Sequence, residues 1–309
     1  MGHSASIGLP GQNLSAAAAV RKPSACPLCG SQDAAPRFRQ GAHTLMRCAE
    51  CDLSFIWPFP DSKQHHAAVS EYDYPDLEVL RCATQYQNER LFYERYFEAI
   101  ELECRGASSI LDVGCGCGHL LERLSALPEL ERAGIELNRQ RAEFARNVAR
   151  CEVLEVPIEE IDSARRFDVI TLINVLSHVP DLRRLFEKLR ALLAERGKVI
   201  VKTGELQHHV RRSAVYDWEF PDHLHFLGWR TMQYIAQKHG LEIVKHQRKR
   251  LSEERFASST WRMQGRSGVR NGFKRGIARL PFALPFLARC YDVVHRGSVS
   301  SSFIVLRAE

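Results

Sequence analysis

The sequence predicts an α/β fold: a doubly wound parallel sheet preceded by a small module closed by four cysteines. Three observations carry this. From residue 109 onward, strand-length apolar runs alternate with segments of helical period, the pattern of a parallel sheet wound by helices. Between the first strand and the first helix lies a turn with glycine at 114, 116 and 118. Ahead of both, two C-x-x-C pairs stand at metal-ligand spacing.

Composition fits that scheme. The chain has 309 residues, 45% hydrophobic and 26% charged, enough for one large domain and a small module. No apolar run reaches the roughly 18–20 residues of a transmembrane helix. The run Ala16-Ala-Ala-Ala19 lacks the charged flank and apolar core of a signal peptide. A net charge of +6 permits an anionic partner without requiring nucleic acid.

Taken in order, residues 1–22 are rich in Ala, Ser and Gly without periodicity and read as a disordered leader. The module spans 23–60. Cys26 and Cys29 open it, Cys48 and Cys51 close it, and 18 residues separate Cys29 from Cys48. That is the spacing of a zinc ribbon, in which four thiolates hold one structural Zn²⁺ and the metal supplies folding energy. Reduced thiols of this kind favour a cytoplasmic setting. The loop between the pairs carries few bases and one aromatic, Phe38, which argues against a nucleic-acid reader. Residues 61–108 read as a helical lid or linker. Tyr86, Phe92, Tyr93, Tyr96 and Phe97 recur there at helical spacing, so they are expected in the core.

The core is expected over 109–247. Its strands are predicted at 109–113, 133–137, near 152–156, 167–173, 198–202 and 241–245. Helices are expected at about 118–127, 138–149, 181–194 and 229–239. Residues 248–309 supply a basic insertion, an apolar cover segment over 276–288 and a last strand at 302–307.

The chemistry begins at Ser109-Ile-Leu-Asp-Val-Gly-Cys-Gly-Cys-Gly-His119. Alternate glycines let backbone approach a ligand that a Cβ would exclude. The G-x-G-x-x-G dinucleotide fingerprint fails in both registers, at His119 and at Leu121. Glu136 ends the second strand, 24 positions after Asp112, where a carboxylate can accept from both ribose hydroxyls of a nucleoside.

Asp112-Val-Gly-Cys-Gly-Cys-Gly118, Gly134-Ile-Glu136-Leu137 and Phe167-Asp168-Val-Ile-Thr-Leu-Ile-Asn-Val-Leu-Ser-His178-Val together resemble the class I S-adenosylmethionine (SAM) methyltransferases. The resemblance covers about 105–247 and implies a Rossmann-like, seven-stranded sheet. It implies that Gly114, Cys115, Gly116 and Gly118 face the methionine and ribose of SAM, with Asp112 ordering the loop. Glu136 would hold the ribose, Leu137 would flank the adenine, and Asn174 would touch the methionine moiety. One position departs: where the family often has an acid near the adenine amine, this chain has Val156-Pro157-Ile158, leaving the backbone near Ile158 or the side chain of Glu159 for that contact.

After the fifth strand, Phe220-Pro-Asp222-His223-Leu-His225-Phe226 is similar to the acidic-His box of sugar methyltransferases. The match implies His223 as base and Asp222 as its orienting partner, with His225 the competitor; Phe220 stands where that subgroup has Tyr. His178 is expected either to line the substrate pocket or to cap a helix. The expected activity is methyl transfer to O, C or N of a small molecule, an anionic one being compatible with the net charge, such as a sugar, nucleotide sugar or natural-product intermediate. The alternatives are an RNA or protein methyltransferase gripping its substrate with the ribbon and the basic insertion, and a non-catalytic zinc-binding scaffold on a degenerate fold.

Overall fold

The computed structural model describes residues 25–60, 67, 69–71, 96–204, 220–250, 286–287, 289–290, 293 and 299–309. The leader, most of the 61–95 segment, His208 and His209, and the basic insertion and cover segment over 251–285 lie outside the described residues.

The four-cysteine module forms three antiparallel strands: β1 (Ala34–Gln40), β2 (His43–Cys48) and β3 (Ser54–Trp57). Helix α1 covers residues 96–104. The core then runs β4 (Ser109–Val113), α2 (His119–Arg123), β5 (Glu131–Ile135), α3 (Arg139–Ala149), β6 (Glu152–Leu154), β7 (Phe167–Ile173), α4 (Leu182–Leu192) and β8 (Leu193–Gly204). It continues with β9 (His225–Phe226), α5 (Trp229–Lys238), β10 (Leu241–Arg250) and β11 (Val299–Ala308).

Seven strands make one sheet in the order β10-β11-β8-β7-β4-β5-β6. The strand order reverses at β4, where the chain winds first toward β6 and then toward β10. The sheet has the seven strands expected, and within it β11 runs antiparallel to both β10 and β8. Arg250 at the end of β10 pairs with Val299 at the start of β11, so the last strand re-enters from the carboxyl edge, where antiparallel pairing needs no crossover.

Apolar residues cover both faces. Tyr96, Phe97 and Ile100 of α1 pack with Ile110, Val169, Ile200 and Val305 on one face. This places the two described aromatics of the 85–100 run in the core, as their spacing implies. On the other face, Leu185, Phe186 and Leu189 of α4 and Met232 and Ile235 of α5 pack with Leu111, Ile170, Leu172 and Val201. That second cluster also contains Cys26, Leu28, Cys48, Cys51, Leu53 and Phe55. The module therefore shares its core with the main sheet.

Local chemistry explains the element ends. Asn138 and Asp181 cap α3 and α4, their side chains accepting from the backbone N–H of Arg141 and Arg184. Helix α2 is shorter than expected and passes into a 3₁₀ turn over Leu124–Ala126. Leu127 is extended there (φ −104°, ψ 91°), because Pro128 disfavours helical backbone in the residue before it.

Candidate functional site

The site forms at the carboxyl ends of β4, β5 and β7, where the strand order reverses and such sheets bind ligands. Its first half is the glycine loop between β4 and α2. Gly114, Gly116 and Gly118 all have positive φ, at 69°, 56° and 79°, a conformation that costs L-residues strain. Space is also tight, against the branched Val175 side chain at Gly114 and against the movable end of Arg141 at Gly116. A Cβ on Gly114 would lie 2.7 Å from Val175 Cγ2, and one on Gly116 would lie 2.3 Å from Arg141 Nη2.

Glu136 sits just past β5 and is buried. Its Oε2 accepts from the Gly116 N–H at 2.9 Å and its Oε1 from the Asn138 N–H at 3.0 Å. Arg141 Nε stands 4.0 Å from Oε2. The strand-two acid thus holds the glycine loop directly. Asp112, expected to order that loop, instead ties β4 to β7: its Oδ1 accepts from Thr171 Oγ1 at 2.6 Å. Burial pushes the Asp112 carboxyl up to about 7, with the nearby Glu136 charge adding to the rise and the Thr171 hydroxyl opposing it.

Leu137 is half-buried next to Glu136, and Cys115 is buried in the loop, its N–H donating to Ile135 O at 2.9 Å. Ile158 is buried in a 3₁₀ turn, and its carbonyl accepts from Ile161 N–H at 3.2 Å. Asn174 leaves β7 with φ 60°. Its N–H donates to Lys202 O at 2.9 Å, and its Oδ1 accepts from Lys202 Nζ at 2.6 Å. Arg141, Thr171 and buried Lys202 join this half without having been singled out by the sequence. Alternation along β7 could have placed Thr171 on the Asp112 face; Arg141 reaches Glu136 from α3 and Lys202 reaches Asn174 from β8, across elements that share no motif.

The second half is the His box. Leu224 N–H donates to Ser177 O at 2.7 Å, which pins the box against the exit of β7. His178 Nδ1 lies 3.0 Å from the Asp222 backbone oxygen; a carbonyl only accepts, so the proton of that bond is on Nδ1. The same Nδ1 is 3.6 Å from Asp222 Oδ1, and the His178 and His223 rings are 4.7 Å apart. One ligand atom from each of His178, Asp222 and His223 lies within 4.8 Å of the others, so the three side chains form one polar cluster. All three are partly exposed. His225 lies apart from them. It is 1% exposed, pairs with Phe55 in a strand, packs on Phe59 at 5.1 Å and places Nε2 3.4 Å from Pro180 O.

The four cysteines converge. Their sulfurs lie within 4.8 Å of one another, with Cys26–Cys51 at 3.6 Å and Cys29–Cys48 at 3.5 Å. Tetrahedral zinc with Zn–S near 2.3 Å requires S–S edges of about 3.8 Å, so the set fits that ion. The two knuckles match in backbone. Gly30 (φ 75°) and Asp52 (φ 63°) each stand four residues after the first cysteine of their pair. Asp52 carries a side chain there, and its carboxylate accepts from Arg47 Nε at 2.6 Å.

No helix among the described residues is long and apolar enough to cross a membrane. A family model described as a methyltransferase domain matches residues 84–246. The ubiquinone biosynthesis O-methyltransferase of Bradyrhizobium diazoefficiens is 32% identical over 111 residues, which is 33% of this chain and 42% of that protein. The Coxiella burnetii protein of the same name is 33% identical over 100 residues, 30% of this chain and 42% of its own. The chain thus spans less than half the length of these curated relatives. Among solved structures, the mycolic acid cyclopropane synthase CmaA1, complexed with SAH and CTAB, is alike in fold with a TM-score of 0.52 at 17% identity. That match covers 79% of this chain and 98% of the other.

Proposed function

The chain belongs to the class I SAM-dependent methyltransferase family, and on that premise we propose that it methylates O, C or N of a small molecule such as a sugar, nucleotide sugar or natural-product intermediate. The observation that carries the reading is Glu136 bonded to the Gly116 N–H at the strand-order reversal. When bound, SAM supplies an electrophilic methyl group on a sulfonium. Catalysis is then mostly in-line positioning, with a base where the acceptor has a proton to lose.

The chain's own residues divide that work. Gly114, Gly116 and Gly118 keep side chains out of the cofactor's path. Glu136 uses its remaining lone pairs for the ribose hydroxyls, Leu137 and the backbone near Ile158 flank the adenine, and Asn174 meets the methionine end. An imidazole nitrogen of His223 takes the acceptor's proton. The Asp222 carboxylate steadies the imidazolium so formed, and His178, fixed through Nδ1 on the Asp222 carbonyl, lines the acceptor side.

Cys26, Cys29, Cys48 and Cys51 hold a structural zinc ion in this reading, and the reduced thiols favour the cytoplasm. Divisions at 23–60, 61–108, 109–247 and 248–309 follow the sequence pattern, with β10 crossing the last boundary and β11 returning from 248–309 to the main sheet. Calorimetric titration with SAM and S-adenosylhomocysteine (SAH) tests the cofactor. Micromolar binding that Glu136→Ala abolishes supports it; no binding by folded protein rejects it.

A further inference from the structure

We propose that the four-cysteine module is the acceptor-side half of the site, positioning the His178–Asp222–His223 cluster, while the hydrogen bonds that shape the glycine loop close without it. This rests on reading that cluster as the place where the acceptor loses its proton.

The His box is built into the module's sheet. Strand β9 is the fourth strand beside β3, with Ser54 opposite Phe226 and Phe55 opposite His225. Ile56 N–H donates to Leu224 O at 3.0 Å, while Leu224 N–H donates to Ser177 O at 2.7 Å. The Leu224 backbone is therefore clamped between the module and the residue before His178, one position after His223. The clamp leads back to the cysteines. Cys48 N–H donates to Leu53 O at 2.9 Å, and Leu53 and Phe55 are buried in one cluster with Cys26, Cys48 and Cys51.

Side chains repeat the connection. Phe38 of β1 stacks on Phe220 with centroids 6.0 Å apart and planes 16° apart, and His43 of β2 meets Phe220 edge-on at 6.4 Å. Phe220 packs on Phe226 at 5.9 Å, and Phe226 on His223 at 6.2 Å. Phe38 and His43 are half-buried, so the module forms part of the wall next to His223. In the other half, the hydrogen bonds of Asp112, Gly116 and Glu136 described above all close within residues 112–171. Phe38, Phe55 and Ile56 are thus positioning residues for the acceptor half.

The test uses the full chain loaded with zinc, and follows histidine imidazole nitrogens by NMR and SAH affinity by calorimetry. On removal of zinc by a chelator, the His178 and His223 signals are expected to move toward those of free histidine, with SAH affinity held within about threefold. Phe38→Ala, with its zinc content intact, is expected to move the His223 signal and likewise spare SAH affinity. Unmoved histidine signals in both experiments overturn the proposal, and so does a loss of SAH affinity that accompanies the histidine shift in Phe38→Ala. If zinc removal unfolds the chain, Phe38→Ala decides alone. Absence of SAH binding in the zinc-loaded wild type is a separate result, which defeats the methyltransferase reading instead.

Discussion

The Glu136 carboxylate receives the Gly116 N–H at 2.9 Å and the Asn138 N–H at 3.0 Å. One side chain at the end of β5 therefore fixes both the loop after β4 and the start of α3. Charge-assisted bonds of this kind are worth about 1.5–3 kcal/mol each. Glu136→Gln keeps one acceptor oxygen but loses the charge, so SAH affinity is expected to fall about tenfold. Glu136→Ala, losing both acceptors, is expected to cost about a hundredfold or more. Calorimetry on the two variants checks the order; equal affinities for both and wild type would remove Glu136 from the site.

Asp112 gives a pH dependence. Its carboxyl is raised to about 7 from an ordinary 3.8, chiefly by burial. Between those values the folded chain holds a proton there that the unfolded chain has released. The group's effect on stability is therefore unfavourable as pH rises through that window and levels off above about 7. Asp112→Asn removes the ionisation while leaving an oxygen for Thr171 Oγ1. Urea unfolding at pH 5 and pH 8 is expected to show the variant gaining on wild type at the higher pH, on the order of 2 kcal/mol. A constant difference between the two pH values would contradict the raised value.

Gly114 tests the loop by packing alone. Its φ is 69° and a Cβ would lie 2.7 Å from Val175 Cγ2. Gly114→Val must pay for left-handed backbone, about 1–2 kcal/mol, and push the 174–178 turn away. The expected result is lower thermal stability and SAH affinity reduced at least tenfold. Gly30→Ala serves as a contrast: its φ is 75° but nothing lies within 4 Å of a Cβ, so it should carry backbone strain without touching SAH binding.

The parts that were legible in the sequence are those set by local pattern. Apolar runs such as Phe167–Ile173 and Lys198–Lys202 mark strands by themselves, and the glycines at 114, 116 and 118 mark a positive-φ turn. Cysteine spacing likewise brings four sulfurs together. Direction is not a local property. The run Ser302–Arg307 would have the same composition in a parallel strand, so its antiparallel entry between β10 and β8 could not be read from it. Strand β9 was hidden for another reason: two residues are too short to show alternation, and pairing Phe55 with His225 joins positions 170 apart in sequence. Lys202 meets Asn174 for similar reasons, through neighbouring strand ends rather than a shared motif.

His223 gives the catalytic prediction. It shares the 4.8 Å cluster with His178 and Asp222 and is partly exposed, whereas His225 is 1% exposed within a strand pair. Removing a general base costs about 10²–10⁴ in rate. Radiolabelled SAM with a panel of phenols and sugars would first find an acceptor that the wild type methylates. On that acceptor His223→Ala is expected to lower kcat by at least about a hundredfold with SAH affinity unchanged. Asp222→Asn should lower it less, because it disturbs the imidazole's partner and not the proton acceptor itself. His225→Gln separates the two candidates: a residue that acts through strand packing should change stability more than kcat. If His225→Gln reduces kcat as much as His223→Ala at equal thermal stability, the base is His225, and the acceptor must approach from the module side of β9.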